Sequence, residues 1–215
     1  MSAASGGAGA ASGTAASGSA AADGSAAATG GLHIFGIAGS LRAGSYNLAL
    51  LRAAGEMLPP GVTLEIGRID DVPLYNADVQ NSEGDPESVK RLKDQIEEAD
   101  VFLVATPEYN YSIPGVLKNA IDWVSRPPKT CALRKKPVGI MGAAGGESGT
   151  IRSQLALRQV FVYTDSYVMA QPELRVTKAS GSFDAEGRLI DEALRERLGL
   201  FLYALADWAR MVGGR

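Results

Sequence analysis

Cysteine and histidine are nearly absent from this sequence: its 215 residues include one of each, Cys131 and His33. A single cysteine excludes a disulfide framework, a CxxC redox pair and a cysteine-ligated zinc site. A single histidine makes a histidine-rich metal centre or a Ser-His-Asp triad hard to build. His33 falls at the start of an expected strand, where a packed or edge histidine is the simpler interpretation.

An excess of charge of one sign and a long apolar run are also missing. The 21 Lys and Arg are balanced by 24 Asp and Glu, and the net charge of −3 leaves no basic footprint for nucleic acid. No run approaches about 18 uninterrupted apolar residues, which excludes a membrane-spanning helix. The first Arg or Lys is Arg42, so the sequence begins neither like a secretory signal nor like an Arg-rich presequence. These absences predict a cytoplasmic protein that binds neither nucleic acid nor membrane.

Residues 1–30 differ in composition from the rest of the chain. All but Met1, Thr14, Asp23 and Thr29 are Ala, Gly or Ser, and Asp23 carries the one charged side chain among them. Such a segment cannot bury enough apolar surface to offset the entropy lost on ordering, so we expect a disordered tail. The rest of the chain, 31–215, suits one domain with a sizeable core.

Apolar strand patterns and helical patterns alternate five times in that domain. The predicted strands are 32–38, 62–66, 101–105, 137–141 and 166–169. The first predicted helix covers 45–58, and the second is capped by Asp85 ahead of Pro86 and Glu87. The third begins at Pro114, the fourth covers 150–163, and the last has an apolar stripe from Ile190 to Val212. Residues 68–85 are expected to form a polar loop. This alternation is typical of a parallel α/β sheet with helices on both faces.

Ligands of such sheets bind beyond the carboxyl ends of the strands, where three loops are unusual. The first loop leads into a helix N-terminus, which attracts anions, and it carries side-chain donors and a cation. It is no Walker A loop, because Ser45 stands where the lysine is needed, and it lacks GxGxxG. We interpret it as a phosphate cradle rather than an ordinary capped turn. Its candidate residues are Gly39, Ser40, Leu41, Arg42, Ser45, Tyr46 and Asn47.

The second loop, residues 106–115, is stiffened by two prolines and presents Tyr109, Tyr111 and Ile113 as flat apolar surface. Aromatic residues are more often core than cofactor contacts, but these follow a buried strand and alternate with polar residues. The third loop, residues 142–149, holds small residues that let a ligand approach the backbone, although it also fits a plain flexible connection. Together the three loops favour a phosphorylated planar ring system, and FMN is the obvious candidate.

Two motifs resemble the NAD(P)H-dependent FMN reductase family of flavodoxin-like proteins, in particular its soluble quinone and chromate reductases. They are the Gly-Ser-Leu-Arg-x-x-Ser-x-Asn pattern that ends at Asn47 and the run from Pro107 to Arg126, and the resemblance covers about residues 32–212. It implies a doubly wound flavodoxin-like domain with a five-stranded parallel sheet in the order 2-1-3-4-5. It also implies homodimers or homotetramers, with the 117–126 helix near subunit contacts.

The resemblance further implies where FMN binds. The phosphate would lie on Ser40, Arg42, Ser45 and Asn47, and the ring would contact Pro107, Glu108, Tyr109 and Asn110. Relatives often carry hydroxyl residues in the third loop, where this chain has Ala143 and Ala144 after Gly142. Contacts there are therefore expected from backbone N–H groups. Arg152 matches an arginine of relatives, although a solvated helix surface explains it equally well.

These expectations describe an enzyme that passes electrons from NADPH or NADH through bound FMN to quinones, chromate or similar acceptors. One active-site face would serve donor and acceptor in turn, so ping-pong kinetics are expected. The cofactor performs the chemistry, and no protein acid or base is assigned. One alternative is a flavodoxin-type electron carrier, which is disfavoured by the low net charge and by basic residues such as Lys118, Arg126 and Lys129. Another is a flavin-based redox sensor that recruits a partner through the tail.

Overall fold

The computed structural model describes residues 31–213, so the predicted disordered tail, residues 1–30, lies outside the described residues. Strands and helices alternate through most of this range, as the sequence predicted. The strands are β1 (Leu32–Ala38), β2 (Val62–Gly67), β3 (Val101–Ala105), β4 (Pro137–Ala143), β5 (Tyr167–Val168) and β6 (Leu174–Val176). The helices are α1 (Tyr46–Glu56), α2 (Ala77–Glu83), α3 (Glu87–Glu98), α4 (Gly115–Val124), α5 (Ile151–Tyr163) and α6 (Glu192–Gly213).

All strand pairs of the sheet are parallel, and the order β2-β1-β3-β4-β5 confirms the predicted doubly wound topology. The last strand position differs from the prediction, because two short strands share it. β5 pairs with the start of β4 and β6 pairs with its end, where Met141 lies opposite Leu174. Between them stands Pro172, which has no N–H to donate to a ladder. β6 was missed because its three residues, Leu-Arg-Val, alternate over too short a stretch to predict a strand.

The core consists of two layers, one on each face of the sheet. Side chains of the central strands alternate between the layers: Ile34 and Leu103 face α1 and α6, whereas Phe35 and Phe102 face α3, α4 and α5. β3 is buried at every position because helices cover both of its faces. These two layers fix the strand ends, and with them the loops that follow β1, β3 and β4.

Residues 68–85 are not a plain loop, since they contain α2. None of its seven residues is buried, so it has no apolar stripe that a periodicity argument could detect. Asn76 begins it by accepting a hydrogen bond from the Asp78 N–H at 2.9 Å. Trp123 and Asn119 of α4 donate to the Pro73 carbonyl oxygen, each at 2.8 Å, and hold this segment against the sandwich.

Several helix boundaries also differ from prediction by a few residues. α1 ends at Glu56 rather than at residue 58. Pro86, not Asp85, occupies the N-cap of α3, because the Asp85 carboxylate instead accepts hydrogen bonds from Gln80 and Lys93. Ile190 precedes α6 and is 56% exposed. Within residues 31–213, no helix has the length and apolar character to cross a membrane.

Candidate active site

The first, second and third loops meet at the carboxyl edge of the sheet, where they enclose an open cavity of about 240 Å³. Each loop contributes to its lining, so the sequence prediction that they share one crevice agrees with the geometry. Ten of the fourteen predicted site residues line the cavity, together with Gly145, which was not predicted. The lining residues are Ser40, Arg42, Ser45, Tyr46, Asn47, Pro107, Glu108, Tyr109, Ala143, Ala144 and Gly145.

The first loop presents unused hydrogen-bond donors to this cavity. Ser45 is the N-cap of α1 and its hydroxyl accepts from the Leu48 N–H at 3.3 Å. The N–H groups of Tyr46 and Asn47 find no acceptor among the described residues, as expected in the first turn of a helix. Arg42 is exposed and makes no ion pair with any residue that the structure describes. This set of donors and positive charge fits a phosphate group.

Asn47 connects the first loop to the third. Its side chain is buried, Nδ2 donates to the Ala143 carbonyl oxygen at 2.9 Å, and Oδ1 accepts from the Ala143 N–H at 2.9 Å. Both ends of the amide are therefore engaged with one backbone unit. The side chain aligns α1 with the end of β4, while its backbone N–H remains without an acceptor among the described residues.

The second loop is a tight hairpin rather than an irregular loop. Tyr109 and Ser112 exchange two backbone hydrogen bonds, at 3.1 and 2.9 Å. Between them Asn110 and Tyr111 have φ of +49° and +68°, which is the type I′ arrangement. The turn leaves the Tyr111 ring 71% exposed. Sequence reasoning missed it because the usual signal is Asn-Gly, and a tyrosine in the left-handed region is uncommon.

Glu108 joins the second loop to α5. Thr150 stands at the N-cap of α5 with φ of +67° and makes no side-chain cap bond. The Glu108 carboxylate supplies the missing cap, since it accepts from the Arg152 backbone N–H and from Arg152 Nη1, both at 2.9 Å. Burial alone would raise the pKa of Glu108, but these hydrogen bonds and the Arg152 charge outweigh it and hold the pKa below its ordinary value.

Arg152 was noted in the sequence but not placed among the site residues. It does not itself line the cavity, but the structure bonds it to Glu108, which does. Its guanidinium carbon lies 3.9 Å from the centre of the Tyr111 ring. Its side chain is 42% exposed, whereas the Glu108 side chain is 8% exposed. A second link between the same elements joins the hydroxyls of Thr106 and Ser153 at 2.8 Å. Sequence proximity could not reveal these contacts, because 44 residues separate Glu108 from Arg152.

Four predicted residues do not line the cavity, and packing explains two of them. A Cβ at Gly142 would lie 2.1 Å from Thr150 Oγ1 and 2.4 Å from the Thr106 carbonyl oxygen. A Cβ at Gly39 would lie 2.9 Å from Leu117. These glycines therefore allow the loops to approach each other. The others are Leu41, which is 52% exposed, and Asn110 in the hairpin turn. In contrast, a Cβ at Gly145 or Gly146 would meet nothing within 4 Å, so the third loop is open to a ligand.

Together the fold and the cavity define a class of protein. A parallel sheet in the order β2-β1-β3-β4-β5, with a cavity at its carboxyl edge beside the start of α1, is the flavodoxin-like architecture of FMN-binding proteins. Within that class, the family model described as NADPH-dependent FMN reductase matches residues 32–181. The chain belongs to this family of FMN-dependent, NAD(P)H-using oxidoreductases, as its two motifs predicted.

Known proteins resemble the chain over nearly their whole length. The NAD(P)H-dependent FMN reductase PA1204 of Pseudomonas aeruginosa is 48% identical over 183 residues, covering 85% of this chain and 98% of that protein. A quinone reductase of Escherichia coli strain K12 is 40% identical over 183 residues, covering 84% and 97%. The solved structure of FerB, a flavoenzyme NAD(P)H:(acceptor) oxidoreductase from Paracoccus denitrificans, has a TM-score of 0.77 at 33% identity, covering 84% and 98%.

Proposed function

We propose that this protein transfers electrons from NAD(P)H through bound FMN to quinones and similar acceptors, chromate among them. The observation that carries the proposal is the cavity itself, in which phosphate-binding groups of the first loop face the open backbone of the third. Relatives named as FMN reductase and quinone reductase support it. The open face of the site restricts the acceptor weakly.

The residues present fit FMN at both of its ends. The unused Tyr46 and Asn47 N–H groups, with Ser40 and Arg42, would hold the phosphate. Pro107 and Tyr109 would lie along the ring, and the backbone beyond Ala143 would approach its edge. When bound, FMN supplies the chemistry that accepts a hydride from NAD(P)H and releases the electrons to a second substrate. The protein binds and orients the reactants, and no side chain is assigned as acid or base.

Donor and acceptor would occupy the same open face in succession, so the reaction should follow a ping-pong scheme. The test varies NADPH at several fixed concentrations of a benzoquinone. Parallel double-reciprocal lines are expected. Intersecting lines would show that both substrates bind together and would contradict the single shared face.

The sequence disfavoured an electron carrier partly because of a basic segment, and the structure weakens that argument. Lys118 pairs with Asp122, and Arg134 and Lys135 share Asp165, so two carboxylates offset part of the positive charge of residues 118–136. Family membership now carries the preference for an enzyme. Sustained NADPH turnover with a quinone distinguishes the two, because a one-electron carrier does not oxidise NADPH by itself.

A homodimer or homotetramer remains our proposal for the assembly. Support comes from the outer face of α5, where Leu155, Val162 and Tyr163 are 53%, 79% and 68% exposed. Light scattering of Val162→Lys against Met211→Lys, a matched change on α6, tests this face. We expect only Val162→Lys to lower the mass. The single cysteine, Cys131, is buried and free, which is consistent with the cytoplasm that we propose as its compartment.

A further inference from the structure

Arg152 retains hydrogen-bonding capacity that the fold does not use. Of its side-chain nitrogens, Nη1 binds Glu108 at 2.9 Å, while Nε and Nη2 bind no acceptor among the described residues. The flat guanidinium group lies against the Tyr111 ring, and the side chain is 42% exposed. A guanidinium that is held on one face and at one nitrogen still offers N–H donors at its edge.

A role limited to stabilising α5 does not account for this arrangement. The Glu108 carboxylate already caps the helix through the Arg152 backbone N–H, which requires no arginine side chain. The stack also rests on an aromatic ring that is 71% exposed and buries little apolar surface. Tyr111 reaches that position only through a left-handed backbone conformation, which is disfavoured for a tyrosine. Strained residues of this kind are concentrated at ligand sites.

The partners of Arg152 fix its geometry before any ligand arrives. Glu108 is 8% exposed and bonds both the backbone and the side chain of Arg152. The hairpin bonds between Tyr109 and Ser112 fix the turn that carries Tyr111. An arginine that is already oriented loses less conformational freedom on binding, which favours affinity.

We propose that Arg152, positioned by Glu108 and Tyr111, binds a phosphate of the nicotinamide dinucleotide. This inference rests on the proposed function. The phosphate of FMN is provided for separately, by Arg42 and the start of α1 in the first loop. The fork of an arginine matches a phosphate, whereas quinones carry no oxyanion; chromate does, and its KM is the arm of the test that separates it from the dinucleotide. Arg152 is therefore a specificity residue for the electron donor.

The test begins with the wild-type protein, which must retain FMN and oxidise NADPH; failure at this step would refute the proposed function rather than this inference. In Arg152→Gln we expect the KM for NADPH and the Kd of NADP⁺, measured by calorimetry, to rise about tenfold, since hydrogen bonds between charged groups are the stronger ones. The kcat and the Kd of FMN should stay within about twofold, because the backbone cap is retained. Arg152→Lys should recover part of the affinity, since it restores the charge without the fork.

A matched control is Arg210→Gln, which also removes one arginine from a carboxylate pair, with Asp207. Arg210 follows Trp208, which bonds the start of β5 and so lies at the opposite edge of the sheet. This control should leave both nucleotide constants unchanged. If the KM values for NADPH and NADH rise equally in Arg152→Gln, Arg152 binds the diphosphate. If the KM rises for NADPH alone, Arg152 binds the 2′-phosphate. The inference would be overturned if Arg152→Gln left the Kd of NADP⁺ unchanged, raised the Kd of FMN, or raised the KM for chromate alone.

Discussion

The first and second loops border the same cavity but are built in opposite ways. The first loop leaves several donors unused: within residues 31–213 the Tyr46 and Asn47 backbone N–H groups have no acceptor and the Arg42 side chain has no ion-pair partner. The second loop is joined to α5 by the Thr106–Ser153 bond, the Glu108–Arg152 pair and the Arg152–Tyr111 stack. The first loop therefore offers free groups to a ligand, whereas the groups of the second loop are held in place by the fold.

The largest effect is expected where the two sides are joined, at Asn47. Asn47→Ala removes both partners of the Ala143 backbone and leaves a buried N–H and C=O unsatisfied. Each such group costs about 1–3 kcal/mol, so we expect a loss of about 2–6 kcal/mol in the free energy of unfolding. Urea denaturation measures it. Asn81→Ala, on the exposed surface of α2, should change stability little. Equal effects of the two variants would show that Asn47 does not hold the loops together.

A substitution in the first loop is expected to weaken FMN binding without changing the stability of the fold. Arg42→Gln should weaken FMN about tenfold, because an exposed cation near a phosphate contributes through a charged hydrogen bond. The free energy of unfolding without FMN should not change. Arg52→Gln, an exposed arginine on α1, the helix that follows this loop, is the control. Flavin fluorescence titration gives both affinities, and if Arg52→Gln weakens FMN as much, the effect belongs to overall charge and not to the cradle.

In the second loop, by contrast, we expect a substitution to change the stability of the fold, and to do so in a pH-dependent way. Because the pKa of Glu108 is lowered in the folded protein, its ionised form stabilises the fold at neutral pH. That contribution is lost as the pH falls from the ordinary glutamate value of about 4.3 through the lower folded value. Glu108→Gln should therefore be less stable than wild type at pH 7, and the difference should shrink in acid. Chemical denaturation at a series of pH values measures this, and a difference independent of pH would contradict it.

The smallest effect is expected at the turn that holds Tyr111. Tyr111→Gly creates Asn-Gly, which suits a type I′ turn and relieves a strain of about 1–3 kcal/mol, while it removes a cation–π contact of about 0.5–2 kcal/mol. Stability should therefore remain within about 1 kcal/mol of wild type, although the Arg152 stack is gone. Thermal unfolding gives the comparison. A loss larger than any cation–π contact supplies would mean that the stack supports the fold itself.

The sequence predicted the first loop better than the second, and the reason is physical. The first loop consists of local features, a cap residue, a helix start and a cation within a short stretch of chain, so its position and residue types indicated a phosphate cradle. The order of the sheet was implied by the family motifs, and the strand alternation supported a parallel sheet. The short elements α2 and β6 were missed because neither is long enough to show periodicity.

The second loop could be located but not interpreted. Its residues were expected to contact the ring, and Pro107, Glu108 and Tyr109 line the cavity. The bond from Glu108 to α5 and the stack of Arg152 on Tyr111 were not foreseen. Both contacts join segments that are distant in the sequence, and only the folded chain brings them together. Gly142 and Gly39 were placed among binding residues for the same reason, since the atoms that exclude a side chain there come from other elements.

The central claim is that the cavity between the three loops is an FMN site that NAD(P)H can reduce. The most direct test is the visible spectrum of the protein after incubation with FMN and desalting, followed by NADPH without oxygen. The account predicts that the flavin absorbance is retained, bleaches when NADPH is added and returns on addition of a quinone. A protein that holds no flavin would contradict the assignment of the site, and retained flavin that neither NADPH nor NADH bleaches would contradict the assignment of the reaction.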